Sequence, residues 1–240
     1  MNFETWIHWY EDILQSFGFK KEDDELSAEY LNEFLEKNPQ IKIKIEELPH
    51  NKNIVVFGAG PSIKKHIQYL KESDNLKNSV LISADGATTA LLEEEIIPDI
   101  IVTDLDGKLE DLLKANKIKS YLVVHAHGNN LDVLKTNLNK LKNVLGTTQS
   151  VPLDNIYNFG GFTDGDRAVY LAVELKAENI ILAGMDFGNI VTKYSRPNLT
   201  DTTDLADDIK KLKLEYAEQL IDWLKENETV NIINLIDGEL

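Results

Sequence analysis

Two patterns of apolar positions divide the chain near residue 50. Before that point Trp6, Trp9, Tyr10, Ile13, Leu14 and Phe17 recur at helical spacing, and Tyr30, Leu31, Phe34 and Leu35 do so again. Gly18 suits the end of the first helix, and Ser27, with Leu26 before it, suits the N-cap of the second. Residues 41–45 alternate apolar and polar side chains, which predicts a short strand. The aromatic stripe reads as core. Residues 1–50 are therefore expected to form a helical cap on a main domain spanning 51–240.

Beyond residue 51 short, β-branched apolar runs alternate with helix-sized amphipathic stretches. The runs lie at 54–57, 80–83, 100–103, 121–124 and 180–183, and a last one at 230–233 follows a long charged helix expected over about 205–226. Runs apolar on both faces are what parallel strands covered by helices on both sides require. The expected fold class is α/β: a doubly wound, mostly parallel Rossmann-like sheet with an N-terminal helical cap. Residues 197–204 form the most loop-like stretch.

In such a sheet ligands bind beyond the carboxyl ends of the strands. Each of the first five runs is followed there by small, polar or acidic residues: Gly58-Ala59-Gly60-Pro61-Ser62, Asp85-Gly86, Asp104-Leu105-Asp106-Gly107, His125-Ala126-His127-Gly128 and Gly184-Met185-Asp186. The first of these joins a strand to a helix. Its glycines admit close backbone approach, and the helix start offers free N–H groups to a phosphate. Gly58, Gly60 and Ser62 are thus candidate phosphate contacts. Ile63 stands where a dinucleotide fingerprint has its third small residue, and the loop is no Walker A motif.

Asp104 and Asp106 are the sharpest local signal, because carboxylates two apart at a strand end suit Mg²⁺ shared with substrate phosphates. Asp85, with Gly86 after it, is a further candidate metal ligand or ribose contact. His125 and His127, followed by Asn129, lack a third soft ligand and read better as oxyanion contacts than as a transition-metal site. Thr163 and Asp166 have capping-box spacing, and Asp164 and Asp166 are also candidate ligand contacts. Arg167, in the first turn of that helix, opposes the helix dipole, which favours an anionic partner for it.

Composition narrows the chemistry. The 240 residues carry 41 acids and 25 bases, a net charge of −16, and no cysteine. Thiol catalysis, disulfides, Fe–S clusters and Cys-ligated zinc are excluded. The negative field argues against nucleic-acid binding. Only Arg167 and Arg196 can form a bidentate guanidinium clamp. With no apolar run long enough to span a bilayer and no visible secretory signal, a cytoplasmic protein without membrane attachment is expected, with homo-oligomerisation possible.

Ala84-Asp85-Gly86-Ala87, followed by Pro98-Asp99 and by Thr103-Asp104-Leu105-Asp106-Gly107, resembles the ADGG and PD…GDxDS elements of thiamin pyrophosphokinase, with Thr103 for its Gly and Gly107 for its Ser. The blocks at 58–62, 125–130 and 161–168 resemble more closely the archaeal 6-hydroxymethyl-7,8-dihydropterin pyrophosphokinase family. A glycosyltransferase-like family linked to motility shares some of them. The resemblance spans about residues 51–188. It implies transfer of diphosphate from ATP to 6-hydroxymethyl-7,8-dihydropterin, giving AMP and the pterin-methyl diphosphate, in tetrahydromethanopterin and folate-type cofactor synthesis. On that reading Mg²⁺ is held by Asp104 and Asp106, with Asp85 and Asp164 as lesser candidates. Arg167 stabilises charge on the transferred group. His125, His127 or Asn129 contacts phosphates or the hydroxyl, and Asp186 meets the pterin.

Two rivals remain at this level. A haloacid-dehalogenase-type phosphatase would use Asp104 as nucleophile and Asp106 as acid/base. Against it, Lys108 stands where Thr is usual, and two strand units precede a motif that normally opens that fold. A non-catalytic nucleotide- or NAD-binding module would use residues 58–62 and Asp85. It leaves Asp104, Asp106 and Arg167 unexplained.

Overall fold

The computed structural model describes residues 1–128 and 130–238. In chain order its main elements are α1 (Phe3–Phe17), α2 (Lys21–Lys37), β1 (Asn53–Phe57), α3 (Ile63–Glu72), β2 (Val80–Ala84), α4 (Ala87–Leu92), β3 (Ile100–Thr103), α5 (Leu109–Ile118), β4 (Tyr121–Ala126), α6 (Leu131–Asn137), β5 (Val144–Thr148), β6 (Ile156–Tyr157), α7 (Asp164–Glu174), β7 (Asn179–Ala183), β8 (Ile190–Thr192), β9 (Thr203–Leu205), α8 (Asp208–Asn227) and β10 (Asn231–Asn234). Eight strands form one sheet in the order β10-β7-β1-β2-β3-β4-β5-β6. All of its pairings are parallel. The chain winds one way from β1 to β6, then returns to place β7 on the other side of β1. The carboxyl ends of β1 and β7 thus diverge at a topological switch point.

Alternate residues of each strand feed opposite faces. Ile54 and Val56 pack with Trp6, Tyr10 and Ile13 of α1 and with α7 and α8. Val55 and Phe57 pack under α3 and α4. Beneath β3–β5, Ala28, Leu31 and Leu35 of α2 share a core with α5 and α6. The two N-terminal helices therefore straddle the sheet, one contributing to each face. Gly18, in the left-handed conformation at φ 65°, turns the chain between them.

Several expectations are revised. The second helix begins at Lys21, not after Ser27, because Glu22, Asp23 and Asp24 in its first turn complement the helix dipole. Ser27 lies inside the helix, buried, and Leu26 faces out. Residues 41–45 contribute only a bridge, Lys42 to Val144, beside the start of β5. The strands β5 and β6 lacked a legible apolar run. β5 reads Val-Leu-Gly-Thr-Thr, and its Gly146 packs closely: a Cβ there would lie 2.5 Å from Ile156 Cδ1 and 2.9 Å from Leu35 Cδ1, so both buried side chains would have to shift. Part of the loop-like stretch before α8 forms β9, paired antiparallel with β8. Among the described residues no helix is long and apolar enough to cross a membrane.

Trp6 is 1% exposed and its indole N–H donates to the Gln149 carbonyl at 2.7 Å. Trp6→Ala is expected to cost about 3–5 kcal/mol in urea unfolding, as for other buried aromatic truncations. A loss under about 1 kcal/mol would show that α1 is peripheral to the core.

Candidate functional site

The carboxyl ends of the parallel strands open into a large cleft of about 760 Å³, lined by Gly58, Asp85, Asp104, Asp106, Arg167, Asp186 and Lys213 among others. Parallel topology brings Gly58 and Asp186, 128 positions apart, to one rim.

At its centre stand three carboxylates. Asp85, Asp104 and Asp106 each offer an oxygen within 4.8 Å of the others. Asp85 follows β2 and is held by the Thr103 hydroxyl at 2.7 Å and the Gly107 N–H at 3.3 Å, both donating to Oδ2. Its Oδ1 is buried and finds no hydrogen-bond partner among the described residues. Gly107 is needed here, since a Cβ would lie 1.9 Å from that oxygen. Burial, followed by the charges of Asp104 and Asp106, pushes the Asp85 carboxyl up to about 8. Asp106 is pushed up to about 6 by desolvation and by Asp104. Burial is the largest single influence on Asp104 and acts upward, but His127 Nε2, 3.0 Å from its Oδ2, together with Asp106 and the charge of Arg167, holds that carboxyl well below its usual range. Leu105, between the two acids, takes a left-handed φ of 69°, and its N–H is held by Thr103 Oγ1 at 2.8 Å. Such strain in a non-glycine residue persists only where the surrounding structure holds it, here between the two acids.

The donor set fits a hard divalent cation. All three ligands are oxygen, one oxygen is buried and unpaired, and mutual repulsion raises two of the three acids. Asp85, Asp104 and Asp106 would hold such an ion.

Positive groups line the same cleft. Arg167, 8% exposed, donates from Nη2 to Gln149 Oε1 at 3.0 Å and from Nη1 to Asp164 Oδ1 at 3.4 Å. Gly161, at φ 90°, lets the backbone pass Arg167, whose Cα would lie 2.7 Å from a Cβ there. Asp164 is raised well above its ordinary value by burial and by Asp104, against the pull of Arg167. Lys210 and Lys213 of α8 reach the cleft from the other side. Burial, then Lys210 and Arg167, lower the Lys213 ammonium. These lysines were not singled out from sequence, because on a long charged helix they look like solvated surface. Only the docking of α8 over the rim distinguishes them.

Other expected site residues land differently. The turn at 58–62 is not an open anion cradle. Gly58 N–H donates to the Ala183 carbonyl at 2.8 Å and Gly60 N–H to that of Gly184 at 2.9 Å. Ser62 donates from its N–H at 3.2 Å and from its hydroxyl at 2.8 Å to the Asp186 carboxylate. The glycines serve contact with the β7 turn: a Cβ at Gly60 would lie 2.0 Å from Asp186 Oδ2 and 2.7 Å from the Gly184 carbonyl. A side-chain anion thus already occupies the helix start. Gly86 is likewise a packing glycine, since a Cβ would lie 1.8 Å from the Tyr194 carbonyl.

Asp166 is fully buried and accepts from Phe162 N–H at 2.6 Å and Thr163 N–H at 2.7 Å. It caps α7 and is not available to a ligand. His125 is buried behind the rim, its Nδ1 3.1 Å from Thr147 Oγ1. Burial and Arg167 hold its pKa well below the usual value, so it is a neutral ring. His127 reaches the cleft. Asn129 lies outside the described residues. Asn130, at 3.0 Å from the Asp104 carbonyl and 2.7 Å from that of His125, clamps the β4 exit.

The family model described as 6-hydroxymethylpterin diphosphokinase MptE-like matches residues 30–192. A protein of Methanothermobacter thermautotrophicus named 6-hydroxymethyl-7,8-dihydropterin pyrophosphokinase is 52% identical over 97% of this chain and 99% of its own. A protein of the same name from Methanocaldococcus jannaschii is 48% identical over 97% of this chain and all of its own. Among solved structures, the Maf glycosyltransferase of Magnetospirillum magneticum AMB-1 shares the fold at a TM-score of 0.50 and 16% identity, over 79% of this chain and 32% of that one.

The acid cluster predicts a pH-dependent response to metal. A raised carboxyl binds its proton more tightly in the folded state than in the unfolded. That stability is fully present below the ordinary carboxylate value and is lost as pH climbs through 6 and then 8. A divalent cation takes over the proton's role. Millimolar Mg²⁺ is therefore expected to raise Tm by several degrees at about pH 8.5 and by little at about pH 5.5. Equal shifts at both would exclude the cluster as the metal site.

Proposed function

The chain belongs to the MptE-like 6-hydroxymethylpterin diphosphokinase family, and on that premise we propose that it transfers the diphosphate of ATP to the hydroxymethyl group of 6-hydroxymethyl-7,8-dihydropterin, with Mg²⁺ at the acid cluster. The observation that carries this reading is the pairing of an acidic trio, one oxygen of it buried and unpaired, with Arg167, Lys210 and Lys213 in one cleft. A chain of net charge −16 repels a triphosphate unless a cation mediates. Bound at Asp85, Asp104 and Asp106, Mg²⁺ would supply charge neutralisation for the phosphates.

The chain's own groups do the rest. The acceptor hydroxyl oxygen attacks the β-phosphorus, the bond from that phosphorus to the α–β bridging oxygen breaks, and AMP departs while the hydroxyl proton is released. Such transfer needs alignment and charge stabilisation more than covalent help. Arg167, fixed by Gln149 and Asp164, meets charge on the transferred group. Lys210 and Lys213 take phosphate oxygens, in place of the glycine turn. His127 fixes Asp104. Asp186, anchored by Ser62, presents a carboxylate at the Gly58–Gly60 end of the cleft, suited to the aminopyrimidine edge of a pterin. The product would feed tetrahydromethanopterin or folate-type synthesis.

The test is incubation with Mg-ATP and a panel of hydroxymethyl acceptors, with AMP scored by chromatography. AMP is expected only with the pterin and Mg²⁺ both present. Release of inorganic phosphate from monoesters without ATP would favour the phosphatase reading, and tight nucleotide binding without turnover a binding module. Asp104→Asn and Asp106→Asn are each expected to slow AMP formation at least ~100-fold with the fold intact, as when about 3 kcal/mol of transition-state stabilisation is lost. Arg167→Lys is expected to keep the circular dichroism spectrum and Tm while lowering kcat ~10- to 1,000-fold, since an ammonium cannot reproduce the guanidinium fork. A collapse of Tm instead would make Arg167 a structural residue.

A further inference from the structure

Gln149 follows β5, where neither apolar pattern nor motif drew attention. Its side chain is buried and engaged at both ends. Oε1 accepts from Arg167 Nη2 at 3.0 Å, and Nε2 donates to Asp24 Oδ2 at 2.8 Å. Asp24, on α2, is 2% exposed. It also accepts from Tyr10 Oη of α1 at 2.6 Å and, through Oδ1, from Gly128 N–H at 2.6 Å. The Gln149 carbonyl is held by Trp6 Nε1 at 2.7 Å and Asn158 Nδ2 at 3.0 Å.

These contacts fix the polarity of the amide. A carboxylate only accepts, so Asp24 draws Nε2 towards itself and leaves Oε1 for the guanidinium. Arg167 has little else to hold it: the bond to Asp164 is long at 3.4 Å, and its buried Nε has no partner among the described residues. The direction of the arginine head is thus set through Gln149 by a carboxylate on the N-terminal helices.

We propose that Asp24 and Gln149 are positioning residues for Arg167, so that α1 and α2 complete the transfer site from outside the sheet. This rests on the role given to Arg167 above. The substitution Asp24→Asn offers Gln149 a donor as well as an acceptor. The amide then turns over and presents N–H groups to the guanidinium. Gln149→Leu removes the acceptor while leaving Asp24 its bonds to Tyr10 and Gly128.

Asp24→Asn and Gln149→Leu are each expected to lower kcat for AMP formation ~10- to 100-fold, the scale of a misplaced catalytic group, with KM for ATP changed less than ~3-fold. In an Arg167→Lys background either change should add less than ~2-fold, because residues acting as one unit are non-additive. The double variant Asp24→Asn/Gln149→Glu restores an acceptor facing Arg167 and a donor facing Glu at 149, and is expected to recover kcat to within ~5-fold of the parent. Since the chain holds two arginines, Arg167 and Arg196, the ¹⁵Nε spectrum has two arginine signals. That of Arg167 should move in Asp24→Asn and Gln149→Leu and that of Arg196 should not. Full kcat in the single variants, or losses that multiply with Arg167→Lys, would overturn the proposal. So would an unmoved Arg167 signal in either folded variant. Absence of AMP formation by the parent protein would strike the transferase reading alone, and the arginine signals would still decide the relay.

Discussion

Like charges crowded at one sheet rim are the constraint on which the rest of this structure depends. Asp85, Asp104 and Asp106 lie within 4.8 Å of one another in a chain that is already strongly negative. Such a cluster costs stability unless protons or a cation neutralise it. The surroundings respond in several ways. Thr103 and Gly107 hydrogen-bond one oxygen of Asp85, and His127 pairs with Asp104. Arg167, Lys210 and Lys213 line the same space. The result is a cleft in which carboxylates and cationic side chains meet, with Arg167 paired to Asp164 and Lys213 within the field of Asp104 and Asp106.

The fold supplies that arrangement through parallel topology. Every strand of the eight-stranded sheet ends at the same rim, so the exits of β1, β2, β3, β4 and β7 converge although they lie far apart in sequence. The N-terminal helices are part of the same construction. They pack on opposite faces, bury Trp6 against the exit of β5, and bring Asp24 to Gln149. A segment that reads as a cap by its helical spacing thereby reaches Arg167 through the hydrogen-bonded side chains of Asp24 and Gln149.

The glycine-rich turn shows how one motif can serve a different end. Two glycines before a helix ordinarily let an anion approach the free N–H groups. Here the carboxylate of Asp186 takes that place, and the turn becomes a joint between β1 and β7. On the proposed reading, phosphate binding falls instead to the long cationic side chains of α7 and α8 that line the cleft. A carboxylate is thereby fixed at the far end of the cleft, where the acceptor is proposed to lie.

By itself the sequence determined the strands β1, β2, β3, β4, β7 and β10 and the location of Asp85, Asp104, Asp106 and Arg167 at a helix- or strand-end rim. Doubly covered strands must be apolar on both faces, and the residues that follow them are freed from that demand, so both signals are local. Tertiary structure alone decided the rest. β5 and β6 are stabilised by neighbours rather than by their own apolar content, so no local period betrays them. Ser27 cannot cap a helix that its acidic preceding turn has already begun. Asp166 is claimed by the N–H groups of Phe162 and Thr163, and the turn at 58–62 by the carboxylate of Asp186, competitions between near and distant partners that no spacing encodes. Lys210, Lys213, Asp24 and Gln149 gain their roles from where whole elements dock, because a charged or amide side chain has no function until packing sets what it faces.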